Sequence, residues 1–373
     1  MKPILKLLKN FMSQKKVLGN VSELQGLAKA DALLATLVNE YKVPGISITV
    51  LKQGEVLLRK GYGYADLDQK TRVEPTKTIF RIASASKPIA ATALAHMVHE
   101  GIMDLDTSFY AYVPYFPRKQ WDFTIRQLAG HTAGIRGYRG KEYGLNKSYS
   151  IKESITIFKD DDLLFQPGTD YHYNSFDWVL ISLAMQEASG MAFEDCVKQK
   201  VLLPLGMRHT FPEYPADHSF WALGERGTSL DFNLTSFYSK NRHGFRKSIP
   251  VNNYYKMAGG GYLSTAEDIA KLGQAYLDGK IFSNEVVSQF LTSGKINGNP
   301  TYYGLGWEAS EDQSGRPFYG HRGNGVGGYS NFFVYPEQQM VFAILVNCTD
   351  PKVQTELDEV VDILSNLHAS RNL

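Results

Sequence analysis

Ile79-Phe80-Arg81-Ile82-Ala83-Ser84-Ala85-Ser86-Lys87-Pro88-Ile89-Ala90 is the stretch whose reading decides the fold. It places a serine and a lysine three residues apart where a helix begins, close to one turn, so the hydroxyl and the amine share a face. A serine hydroxyl is a weak nucleophile until a neighbouring base takes its proton. A lysine becomes that base when desolvation and nearby positive charge lower its pKa. Pro88 suits a first helical turn, where its missing N–H is not needed. Ala90, Ala93, Leu94 and Met97 then recur at helical spacing, and Gly101 is a plausible stop. Thr78-Ile79-Phe80-Arg81-Ile82 reads as a short extended run before it. Ser86 is a possible capping residue for the same helix.

Two further stretches carry chemistry. Gln166-Pro167-Gly168-Thr169-Asp170-Tyr171-His172-Tyr173-Asn174-Ser175 is a Pro-Gly turn followed by a polar, tyrosine-bearing loop. Gly320-His321-Arg322-Gly323-Asn324-Gly325 lies far downstream, ahead of an apolar strand run. Ser-x-x-Lys, Ser-Asp-Asn and Lys-Thr-Gly, in that order, are the signature of class A β-lactamases and penicillin-binding proteins. Here the second and third elements read Tyr-x-Ser and His-x-Gly, close to the Tyr-x-Asn and His-x-Gly of a related branch. The sequence resembles the class C β-lactamase-like serine hydrolases. That family includes D,D-carboxypeptidases, D-amino-acid peptidases, esterases and a β-lactamase-like protein of mitochondria. The segments Thr124–Ile135, Pro204-Leu205-Gly206-Met207, Ala258–Ala266 and Tyr303-Gly304-Leu305-Gly306-Trp307 are similar to those of the family as well.

The resemblance implies roles. Ser84 is the nucleophile, and Lys87 is the base or the cation that tunes it. Tyr173, rather than Tyr171, is the second base and the proton shuttle to the leaving group. A tyrosine normally titrates near 10, and Lys87 is expected to lower that value by favouring the phenolate. Ser175 stands where many relatives carry a substrate-binding asparagine, and Asn174 is expected to point elsewhere. His321 replaces the lysine of Lys-Thr-Gly. Its charge near pH 7 is open, because an unperturbed imidazole titrates near 6.5. It is expected to orient Tyr173 and to receive a substrate carboxylate or carbonyl. Gly323 would let the substrate backbone approach closely. The backbone N–H groups of Ser84 and Asn324 would form the oxyanion hole. Strand alternation favours an outward Arg322 when His321 points in. His131 reads as a loop-fixing residue rather than a catalytic one.

The implied chemistry is acyl transfer on an amide, peptide, ester or β-lactam carbonyl, with no metal or organic cofactor. Its rivals are an acyltransferase of the same fold and a penicillin-binding-like or self-assembling scaffold, so an oligomer is possible. The partner is a small-molecule or peptide substrate.

The bulk numbers agree with an ordinary globular enzyme. The chain has 373 residues, 43% hydrophobic and 21% charged, with a formal net charge of +2. That is enough for a large core in one or two domains. No basic patch points to nucleic acid. The two cysteines, Cys196 and Cys348, read as buried free thiols, and the nine histidines show no metal-ligand spacing. No run of about 18 apolar residues forms a membrane span. Residues 1–16 form a basic amphipathic stretch, with Ile4, Leu5, Leu8, Phe11 and Met12 on one face. It lacks the apolar core and small-residue cleavage site of a signal peptide. A docked helix is the favoured reading and peripheral membrane contact the alternative; the compartment stays open.

Residues 26–42 read as a helix, and 46–50 with 56–58 as a hairpin turned at Gly54. Ser264-Thr265-Ala266-Glu267 reads as a capping box. Strands are expected at 302–309, 317–322, 329–335 and 340–347, and a closing helix over 356–367. The expected fold is α/β (α+β), β-lactamase/transpeptidase-like: one antiparallel sheet from both chain ends, flanked by helices. An N-terminal segment (1–22), a sheet domain (23–107 with 226–373) and an inserted helical lobe (108–225) are the expected divisions.

Overall fold

The computed structural model describes residues 21–214, 233–279, 281 and 284–367. The amphipathic stretch at 1–16 lies outside the described residues. The helices used below are α1 (Gly26–Asn39), α2 (Ser86–His99), α3 (Phe176–Ser189), α4 (Ala266–Leu277) and α5 (Gln354–Ser365). The strands are β1 (Gly45–Lys52), β2 (Glu55–Asp66), β3 (Thr71–Arg72), β4 (Thr78–Arg81), β5 (Glu308–Glu311), β6 (Pro317–Gly325), β7 (Gly328–Tyr335) and β8 (Met340–Val346).

Seven strands form one sheet in the order β5-β6-β7-β8-β1-β2-β3. β8, near the C-terminal end, pairs antiparallel with β1, in the register Ile46 to Val346 through Lys52 to Met340. The sheet is therefore made from both ends of the chain, as the sequence pattern implied. Alternation sorts its side chains. Ile46, Ile48 and Val50 share a core with Phe342, Ile344 and Val346, with Leu34 of α1 and with Val360 of α5. Leu51, Val341, Ala343 and Leu345 face the opposite core, with Ile269 and Leu272 of α4. Helices thus cover both faces. This explains a departure from the simple amphipathic reading: Ser47 and Thr49 alternate with apolar residues, yet both are buried.

Local chemistry explains the element ends. Gly54 turns the β1–β2 hairpin at φ +81°, and Gly101 follows α2 at φ +71°, conformations that glycine adopts without a Cβ clash. The helix expected over 26–42 stops at Asn39, and the strand expected over 302–309 is confined to Glu308–Glu311. The expected capping box shifts by one residue. Thr265 caps α4 by accepting the Asp268 N–H at 3.1 Å, while Ser264 belongs to a strand. Cys196 and Cys348 are buried free thiols, pushed up to about 11 by burial. No helix among the described residues is long and apolar enough to cross a membrane.

α2 is buried on nearly every side, Lys87 included. Its alanines allow neighbouring elements to come close, and Thr92 shares a hydrogen bond of 2.9 Å with Tyr276 of α4. α4 packs on the sheet through Gly273, where a Cβ would lie 2.6 Å from Val341 and 2.9 Å from Phe332. Gly273→Ala is expected to overpack this contact and cost roughly 1–3 kcal/mol, read as a lower urea midpoint at unchanged slope.

Candidate active site

The site begins with a strained turn. The chain leaves β4, and Ala83 adopts φ +47°, unusual for a residue with a Cβ. A 3-10 turn over Ala83–Ala85 then runs into α2. No side chain caps this start; Ser86 instead accepts the Tyr262 N–H at 3.1 Å, so its expected capping role is not the one it plays. The turn presents Ser84 at the floor of a cleft, with Lys87 one turn further on and fully buried.

β6 lies against this turn because residue 323 is glycine. A Cβ there would sit 2.3 Å from the Ile82 carbonyl and 3.0 Å from the Ser84 nitrogen. The close approach expected of substrate is thus already made by the protein's own backbone. Ser330 fastens the contact by donating to the Ile82 carbonyl at 2.6 Å. Arg322 N–H donates to Glu308 Oε1 at 2.9 Å, on the edge of β6 away from β7. Two residues on, the backbone of Asn324 faces the same way, and its carbonyl accepts the Tyr143 hydroxyl at 3.4 Å. The Asn324 N–H therefore opens on the same edge, near Ser84. Its side chain turns away and accepts the Asp350 N–H at 3.2 Å.

Three polar groups close a triangle. The Lys87 amine is 3.2 Å from Ser84 Oγ and 2.8 Å from Tyr173 Oη, and the Tyr173 hydroxyl donates to Ser84 Oγ at 2.8 Å. Lys87 also donates to the Gly259 carbonyl at 2.7 Å. Burial pushes Lys87 down to about 7, Asp177 opposes this, Lys256 reinforces it and Glu308 opposes it. A neutral amine has two N–H bonds and one lone pair. With Tyr173 and Gly259 taking the N–H bonds, the lone pair is left facing the Ser84 hydroxyl. Tyr171 lines the same cleft but makes no such contact, so Tyr173 is the tyrosine brought to Ser84 and Lys87.

One electrostatic expectation is corrected, and one question left open by the sequence is answered. Tyr173 is held above its ordinary value, not below it: burial dominates, partly offset by its bond to Ser84, while Glu308 adds to the rise. Although the residue is 39% exposed, its hydroxyl lies against the buried amine, and it is a phenol at neutral pH. His321 is neutral, pushed down to about 3 by burial and then by the charge of Lys87. Its Nδ1–H donates to the Arg322 carbonyl at 2.6 Å, and its Nε2 accepts the Tyr303 hydroxyl at 3.0 Å. Both ring nitrogens are thus engaged. The ring centroid lies 5.9 Å from that of Tyr173, a packing contact rather than a hydrogen bond.

Arg322 points outward, 5.3 Å over the Phe333 ring. Ser175, at the start of α3, lines a recess beside Ser84, whereas Asn174 turns inward to the Ile135 and His172 carbonyls and Asp177. His131 does fix the loop, since its carbonyl accepts the His172 N–H at 2.9 Å. It also does more. Its buried ring packs 4.6 Å from Tyr173 and donates from Nδ1 to Asp177 at 2.7 Å. Burial drives His131 well down and Asp177 well up.

Sequence reasoning missed Asp177, Glu308, Tyr303 and Lys256. An acid in the first turn of an otherwise apolar helix was a signal for Asp177. For Tyr303 the signal was its place in the family-like segment 303–307; Glu308 and Lys256 carried none, because only the fold brings them near Ser84.

A cleft of about 460 Å³ opens above Ser84, walled by Tyr173, Tyr302, Tyr303, Glu308, Glu311 and His321. A recess of about 50 Å³ lies on the other side, lined by Ser175, Gly259 and Lys256.

An antiparallel sheet flanked by helices, with Ser-x-x-Lys at the head of a buried helix, defines the β-lactamase/transpeptidase-like class. Residues 30–365 match the family described as Beta-lactamase, and the chain belongs to that family. It is 28% identical over 318 residues to the mitochondrial serine beta-lactamase-like protein LACTB of Homo sapiens, covering 66% of this chain and 56% of that protein. It is 30% identical over 185 residues to Protein flp of Staphylococcus aureus (strain MW2), covering 48% of this chain and 37% of that one. The chain thus spans little more than half the length of the first of these and less of the second. The octameric penicillin-binding protein homologue of Pyrococcus abyssi superposes with a TM-score of 0.76 at 25% identity, over 91% of this chain and 78% of that one. The D-amino acid amidase of Ochrobactrum anthropi SV3, in complex with L-phenylalanine, shares the fold at TM-score 0.76 and 21% identity, over 90% and 98%.

The Lys87 environment sets a pH dependence. With Lys87 as the base expected from the sequence, the neutral amine is the form able to take the Ser84 proton, so the rate of Ser84 acylation is expected to rise with pH through about 7. Rapid-quench labelling from pH 5 to 9 checks this, and Lys87→Arg, which stays protonated, is expected to remain flat and slow.

Proposed function

We propose that this protein is a serine hydrolase that works through a covalent acyl-enzyme on an amide, peptide, ester or β-lactam carbonyl. The observation that carries this reading is the closed Ser84–Lys87–Tyr173 triangle around an amine kept from water. A scaffold gains nothing from a buried lysine, which costs stability.

In the reading, Ser84 Oγ attacks the carbonyl carbon while its proton passes to the neutral Lys87 amine. The carbonyl π electrons move onto oxygen, and the oxyanion accepts from the N–H groups of Ser84 and Asn324. Collapse of the tetrahedral intermediate breaks the bond to the leaving group. Tyr173 gives that group its proton and is reprotonated by Lys87 through the 2.8 Å contact. Water then takes the place of the leaving group and repeats the sequence in reverse, freeing the acid. His321, with Tyr303, holds the wall of the cleft rather than moving a proton, because its lone pair is engaged.

The test is intact mass after incubation with a neutral fluorophosphonate. One adduct is expected on the wild type and none on Ser84→Ala, with turnover of activated esters falling at least about a thousandfold. No adduct on folded wild-type protein would overturn the reading.

The proposal includes self-association, which the octameric Pyrococcus abyssi homologue supports. Light scattering is expected to give a mass that is a multiple of 41.8 kDa.

A further inference from the structure

The two spaces flanking Ser84 differ in charge. The cleft carries the carboxylates of Glu308 and Glu311, and its nearest cation, Arg322, lies over Phe333 with its guanidinium 3.8 Å from Glu308. The recess carries two cations, Arg81 and Lys256. Arg81 is fully engaged: it binds Glu213 through Nε and Nη2 and the Val326 carbonyl through Nη1 at 2.7 Å, and stacks on Phe237. Asn253 donates to the same Glu213 carboxylate at 2.9 Å, which leaves that acid no charge to spare. Lys256 is not neutralised in this way. Its ammonium lies 5.2 Å from the Tyr138 ring centroid and 5.9 Å from that of Tyr255. Among the described residues no carboxylate lies within ion-pair distance of it.

Lys256 is also placed by the machinery itself. It ends the 3-10 turn Tyr254–Lys256, three residues before Gly259, whose carbonyl holds the Lys87 amine. Its backbone is thus placed relative to the base, and two aromatic rings lie within cation–π range of its head without cancelling its charge.

Resting on the hydrolase reading above, we infer that Lys256 selects substrates whose acyl group carries a carboxylate, received in the recess beside Ser84. The direction follows from Tyr173. It lines the cleft and not the recess, so a leaving group that takes its proton departs into the cleft. The acyl chain is then left to the recess. The recess holds a few water molecules' worth of space, the size of a carboxylate on a short stem. The acidic cleft repels the same anion and so reinforces the orientation.

The experiment compares two ethyl alkylfluorophosphonates, one with a terminal carboxylate on the alkyl chain and one with its methyl ester. In each, the Ser84 Oγ–P bond forms, the P–F bond breaks, fluoride leaves and the serine proton goes to Lys87. The readout is the ratio of the two labelling rates, anionic over neutral. Any effect of Lys256 on Lys87 acts on both probes and cancels. The ratio is expected to fall about tenfold in Lys256→Gln, as for loss of one charge-assisted contact, to be kept in Lys256→Arg and to fall furthest in Lys256→Glu. An unchanged ratio in Lys256→Gln, with Ser84 still labelled, overturns this inference and leaves the hydrolase reading standing. Failure of both probes to label Ser84 in folded wild-type protein overturns both.

Discussion

The amine of Lys87 has no contact with water, and the site is arranged around that constraint. An ammonium is strongly hydrated, so removing water favours the neutral form. Burial and Lys256 lower the amine while Asp177 and Glu308 oppose them, so it comes to about 7. The Gly259 carbonyl and the Tyr173 hydroxyl then decide where the lone pair points. A lysine in solvent at the same spacing would carry its proton and hold Ser84 as a donor rather than as a base.

The second theme is neutrality around this amine. Tyr173, Tyr303 and His321 are uncharged at neutral pH, a state that desolvation of their polar atoms reinforces. His131 packs against Tyr173 and is uncharged because it is buried. Hydrogen bonds between uncharged groups set direction without adding field. Charge enters from the walls: carboxylates on one side of Ser84, one uncompensated ammonium on the other.

The fold was legible where chemistry is local. The serine and lysine at one helical turn, the Gly54 hairpin and the strand alternation at 46–50 all read directly, and β1 meets β8 as the pattern of terminal strands implied. The segments around Ser84, Tyr173 and His321 were legible as motifs, and the fold does bring them to one cleft. Their electrostatics were not. Expecting a lowered Tyr173 rested on proximity to a cation, whereas burial outweighs it. The charge of His321 was open because imidazole titrates where small changes in solvation decide. Gly323 shows the same limit, since a glycine needed for close approach does not say what approaches. Lys256 and Glu308 sit in polar stretches that resemble any solvated surface, and only the tertiary fold gives them neighbours.

Ser84 and Asn324 come from opposite ends of the sequence and meet because β6 docks on the turn before α2. Ser84 is synthesised long before the strand that completes its surroundings. Contacts of such sequence separation are among the slower ones to form. A growing chain therefore carries Ser84 without the Asn324 N–H proposed as the second oxyanion donor until β6 and β7 have joined the sheet. On the hydrolase reading, reactivity is tied in this way to completion of the fold.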